Sequence, residues 1–398
     1  MIPNFLKQTM ESTYNFDDIR PFYDNEAFDA MQKIKKDPLF LQLVNYIWPT
    51  MTKEEAFAKA EKVNDNMSFQ LEFMHQAIRV IVERSSDRLT SSGFENLDPN
   101  DSYLFIANHR DILLDSAILQ ILLVEHGFKT SEITFGNNLM EQGFITDFGR
   151  LNRMFTVLRE GTSRELYEIS QKLSAYIRHT IVDKKVSVWI AQRNGRTKDG
   201  NDLTQTGLIK MLNMSGKENF SENFKQLKIV PLSISYEYEP CDVLKAQELY
   251  LSSLHTKYVK APGEDLTSII TGIKQPKGRI HMAVGKPITT DLNKLEGTNE
   301  NEKIKQLVNL IDEQLYTDYK LWPTNFIAYD ILNESAAFKS NYSEQEKKKF
   351  IDYVRDQVKK ITDDELNLYN TLISMYAYPV KNYLKTKSNI KVSHFELN

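Results

Sequence analysis

The residues with the plainest capacity for chemistry lie together in the segment Phe105-Ile106-Ala107-Asn108-His109-Arg110-Asp111-Ile112-Leu113-Leu114-Asp115-Ser116. An apolar run ends at Ala107, a polar turn carries His109, and an apolar stretch of helical character follows. That order puts an imidazole at the carboxyl end of a strand, where open α/β sheets bind their ligands. Asp111 and Asp115 can both lie near it. A carboxylate that accepts the Nδ1 proton fixes the tautomer and leaves Nε2 to take a proton from a hydroxyl. His109 is therefore the candidate general base, with Asp111 or Asp115 as its orienting partner.

Other chemistries find less support. His75, His126, His179, His255, His281 and His394 show no metal-ligand spacing with a partner, so no metal is expected. Cys241, the single cysteine, follows Pro240 with no histidine close in sequence, and Gly-x-Ser-x-Gly is absent, which argues against a covalent hydrolase. His109-Arg110-Asp111 and Asp147-Phe148-Gly149 echo kinase triplets. A kinase also needs a glycine-rich loop and an asparagine five residues after the aspartate, and position 116 is serine.

The elements that would carry His109 follow from periodicity. From Asn25 to about Leu89 the pattern is helical, with Met67, Leu71, Met74, Ile78 and Ile81 as one apolar stripe. Short β-branched and aromatic runs then alternate with amphipathic stretches. Six strands are expected, Tyr103–Ala107, Ile133–Gly136, Phe155–Leu158, Val186–Ala191, Ile229–Tyr236 and Ile280–Val284. The alternation predicts an α/β fold with a mixed, largely parallel sheet flanked by helices, preceded by an N-terminal helical bundle and followed by C-terminal helices. The expected division is 1–90, 91–290 and 291–398.

Composition narrows the partners. A 398-residue chain with 41% hydrophobic residues can bury a sizeable core, and a net charge of −4 excludes a generally basic nucleic-acid binder. No apolar export signal opens the chain and no stretch reaches the length of a membrane span, which predicts a cytoplasmic protein, soluble or peripheral to a membrane. Between Gly149 and Lys198, eleven Lys and Arg face four acids, a band that would attract phosphate groups.

Asn-His, a short spacer and Asp after an apolar strand resemble the first block of the glycerolipid acyltransferases, the glycerol-3-phosphate and lysophosphatidate enzymes. Five residues separate His109 from Asp115, where that family has four. The Leu-Asp-Ser ending favours Asp115 over Asp111 as the partner. Three further blocks follow in order. Phe155-Thr156-Val157-Leu158-Arg159 is similar to the second, and Val188 to Gly200, with Gly195, Arg196, Thr197 and Lys198, to the third. Ile229-Val230-Pro231-Leu232 with Tyr236-Glu237 is similar to the fourth. Arg193 falls in the column where the third block carries an acid.

The resemblance implies an acyltransferase domain over 91–290. It implies transfer of a fatty acyl group from acyl-CoA or acyl-carrier protein to glycerol-3-phosphate or lysophosphatidate, by direct attack with no acyl-enzyme and no resident cofactor. His109 would be the base, with Asp115 or Asp111 behind it. Arg159, Gly195, Arg196, Thr197, Lys198 and Pro231 would bind substrate. An anionic membrane surface is the further partner expected. An amino-acid-type or other non-phosphate lipid is the alternative acceptor, and a non-catalytic lipid-binding protein the alternative of another class.

Overall fold

In the central strands every residue is apolar or small, so both faces must be covered. The computed structural model describes residues 14–395 apart from 140–142, 159, 255–257, 298 and 360–364. Its described strands are β1 (Arg88–Ser92), β2 (Leu104–Ala107), β3 (Glu132–Gly136), β4 (Met154–Val157), β5 (Val188–Ala191), β6 (Ile229–Tyr236) and β7 (Arg279–Val284). They form one sheet in the order β1-β7-β6-β2-β5-β3-β4. β7 runs antiparallel to β6, and the other five pairings are parallel. The fold is thus α/β with a mixed, largely parallel sheet.

Period-two alternation divides the core. Phe105 and Ala107 of β2 join Trp189, Val230 and Leu232 on one face, under helices Leu114–Glu125 and Gln76–Ser85. Leu104 and Ile106 join Val188, Ile190 and Ile229 on the other, under helices Ser163–Val182 and Glu300–Asp318. Each buried face contributes on the order of 25 cal/mol per Å² of apolar surface removed from water. Two smaller clusters hold the N-terminal helices and the C-terminal helices together. Among the described residues no helix is long and apolar enough to cross a membrane.

Two sequence expectations differ from the observed elements. β1 is a seventh strand beyond the six expected, and it begins at Arg88, where the helical pattern ends. Arg88-Leu89-Thr90-Ser91-Ser92 has little apolar alternation and is held at the sheet edge by pairing with β7. The apolar stripe through Met67 and Leu71 is also displaced. A π-helical turn at Gln70–His75 inserts an extra residue, so Phe69, Phe73, Ile78 and Ile81 are buried while Leu71 stands exposed.

Candidate active site

β2 ends in a turn whose backbone is fixed before any side chain acts. Asn108 caps the β2–β6 pairing by accepting from the Ile234 N–H at 2.8 Å and donating to the Ile234 carbonyl at 3.0 Å. Asp111 Oδ1 then accepts from the N–H groups of Leu113 and Leu114, capping the helix that follows. The loop after β5 closes over the turn, with the Thr197 N–H donating to the His109 carbonyl at 2.7 Å. His109 is held from both sides.

Asp115 lies one turn into the helix and meets His109, with Oδ2 2.9 Å from Nδ1. The same oxygen accepts from the Asp111 N–H at 2.9 Å and from the Arg110 N–H, and Oδ1 accepts from the Tyr236 hydroxyl at 2.8 Å. Four donors thus converge on one buried carboxylate, which makes it an acceptor toward imidazole and leaves Nε2 as the basic nitrogen. Trp189 stands edge-on to the ring, centroids 5.5 Å apart. Asp111 does not share this role. Its Oδ1 is spent on the helix cap, and its buried Oδ2 has no partner among the described residues. Burial and the neighbouring charge of Asp115 push its pKa upward.

His109 opens into a cavity of about 260 Å³ that Trp189, Arg193, Gly195, Arg196, Lys198 and Lys260 also line. The cations are not equivalent. Lys198 is paired with Glu248, and Lys260 with Asp265 at 2.5 Å. Arg193 Nε and Arg196 Nη1 are buried atoms without a hydrogen-bond partner among the described residues. A buried guanidinium nitrogen with an unmet donor is costly in isolation and complements an anion. Gly195, at φ 76°, supplies the left-handed turn between these two arginines.

The expected binding residues therefore separate into groups. Gly195, Arg196 and Lys198 reach the cavity beside His109. Thr197 is buried behind the wall, contributing its N–H to the His109 carbonyl. Pro231 lies inside β6 opposite Ile106, away from the cavity lining, where its carbonyl accepts from the Gly285 N–H. Arg159 lies outside the described residues. The basic band is not one surface: Arg153 donates to Thr130, Arg178 to Asn223 and Leu212, Lys172 pairs with Asp18, and Lys184 with Glu132. Only its last members, Arg193, Arg196 and Lys198, face the cavity among the described residues.

Behind the turn lies a buried charge cluster that sequence patterns did not single out. The Arg110 guanidinium donates to Asp202 at 2.5 Å and to Glu239 at 3.1 Å. Lys245 bridges back, donating to Glu239 and to the Arg110 carbonyl, both at 2.6 Å. Burial opposes the charge on Arg110, but Asp202 and Glu239 outweigh it and raise its pKa. Among the described residues no group of His, Cys, Asp or Glu is arranged to hold a metal ion.

No protein-family model matches the chain, and no curated protein matches it. Among solved structures, the 1-acyl-sn-glycerophosphate (LPA) acyltransferase PlsC from Thermotoga maritima is similar at 12% identity, over 73% of this chain and 94% of that one. The TM-score is 0.36, a likeness too distant to carry an argument about activity.

Proposed function

We propose that the chain is an acyltransferase that moves a fatty acyl group from a thioester to a hydroxyl acceptor bearing phosphate, glycerol-3-phosphate or lysophosphatidate. The observation that carries this reading is the His109–Asp115 pair opening on a cavity lined by Arg193 and Arg196, each with one guanidinium nitrogen that has no hydrogen-bond partner among the described residues. The four sequence blocks running from Asn108 to Glu237 support it. Nε2 of His109 takes the acceptor's hydroxyl proton as that oxygen attacks the thioester carbonyl. The tetrahedral intermediate collapses with loss of the thiolate, which the imidazolium protonates. Arg193 and Arg196 hold the phosphate, each able to make two parallel charge-assisted bonds.

Free-thiol release from acyl-CoA or acyl-carrier protein, measured with a panel of acceptors, tests the assignment. Arg196→Ala should raise KM for the phosphate acceptor by roughly ten- to a hundredfold, the loss of about 1.5–3 kcal/mol for a hydrogen bond to a charged group. KM for the donor should stay where it is. Robust transfer to an uncharged alcohol, indifferent to Arg196→Ala, would overturn the acceptor while leaving the reaction class.

A lipid acceptor or product places the working enzyme at a membrane surface. Leu39, Leu43 and Tyr46 stand exposed at helical spacing on Pro38–Ile47 and supply an apolar face for peripheral contact. The protein should pellet with anionic vesicles at low salt, and Leu39→Ser with Leu43→Ser should reduce the pelleted fraction. Failure to pellet at low salt counts against this location.

A further inference from the structure

The cavity at His109 does not end there. Asp199 and Leu249, on its wall, also line a second groove of about 450 Å³ between helices Asp242–Leu254 and Glu365–Phe395. Its character is distinct. Asn367, Asn370, Thr371 and Ser374 succeed one another at spacings of three, one and three, a neutral stripe of amides and hydroxyls along one helix face. Leu249 and Met375 supply apolar contact, and among the described lining residues Asp199 carries the single charge.

Both walls are fastened to the loop that bears Arg196. Lys198 pairs with Glu248 of helix Asp242–Leu254. Gly200, at φ 80°, lies so close to the other helix that a Cβ there would stand 2.2 Å from the Met375 carbonyl oxygen. The groove is therefore held in fixed relation to His109.

Resting on the acyl-transfer reading, we infer that this groove takes the pantetheine arm of the thioester donor and delivers its sulfur to the cavity. The arm is long, thin and uncharged, and its two amides need donors and acceptors along the way. A fatty tail in the same groove would set the Asn370 amide and the Ser374 hydroxyl against hydrocarbon, which cannot hydrogen-bond them. The nucleotide end of CoA would call for cations, which the described lining lacks.

Calorimetric titration of the whole chain with two unreactive CoA thioethers, S-ethyl and S-dodecyl, tests the assignment without turnover. Asn370→Leu removes an exposed amide, and Ser374→Phe fills the groove. Each should weaken both thioethers by the same factor, roughly tenfold, the size of a lost hydrogen bond at the upper end of its usual range. Glycerol-3-phosphate binding should not change. Unaltered thioether affinity in both variants would overturn the inference, as would a loss confined to S-dodecyl-CoA, which would put the tail in the groove. Absence of thioether binding to the wild type also overturns it. Thiol release measured in parallel then shows whether acyl transfer itself has failed.

Discussion

Replacement of His109 by alanine should lower kcat for thiol release by about 10²–10⁴, the usual contribution of a positioned general base. The fold should survive. Asp115 keeps its bonds from Arg110 N–H, Asp111 N–H and the Tyr236 hydroxyl, so removing the ring does not strand a buried carboxylate. Free imidazole should restore part of the rate in His109→Ala, an effect that a purely structural role would not give. Asp115→Asn should also cost activity, because an amide nitrogen turned toward Nδ1 offers a donor where an acceptor is needed. Asp111→Asn should cost less, since Asp111 makes no contact with His109 and an asparagine can still cap the helix. Near-normal turnover in His109→Ala would refute the mechanism, and a larger loss at Asp111 would refute the assignment of the partner.

How much of the structure shows in the sequence depends on how local each signal is. β2, β5 and β6 announce themselves because strands covered on both faces must be continuously apolar. β1 does not, because its pairing with β7 lies nearly two hundred residues away and leaves no trace in Arg88–Ser92. The turn at His109 was legible for the same reason as β2: strand, polar turn and helix adjoin in sequence. The Tyr236 hydroxyl on Asp115, and Asp202, Glu239 and Lys245 around Arg110, come from residues far along the chain. Periodicity has nothing to say about them. Linear charge misleads in a related way. The cations of 149–198 share a stretch of sequence but mostly answer to separate partners, so Arg193, read as a departure from a family pattern, matters more for the cavity than Arg153 or Arg178.

Arg110→Met should lower the stability of the α/β core by about 3–5 kcal/mol, the cost of breaking a buried ion pair from one side. Methionine fills much of the space, so the loss isolates charge from packing. In the native chain two cations, Arg110 and Lys245, face two carboxylates, Asp202 and Glu239, all nearly inaccessible to water. Removing Arg110 leaves two buried carboxylates and one ammonium, and Lys245 reaches Glu239 but has no contact with Asp202. Asp202 would then keep only the Asn108 amide as a donor. Arg110→Lys should fall between, because a single ammonium cannot span two carboxylates as the guanidinium fork does. The measurement is urea unfolding followed by tryptophan fluorescence, since Trp189 packs against His109 and reports on this part of the core. Adding Asp202→Asn and Glu239→Gln to Arg110→Met removes the stranded negative charge and should recover part of the loss. A loss below about 1 kcal/mol in Arg110→Met, the scale of an exposed pair, would mean the cluster is not an electrostatic unit and that the turn carrying His109 is held by the Asn108, Asp111 and Asp115 bonds without it.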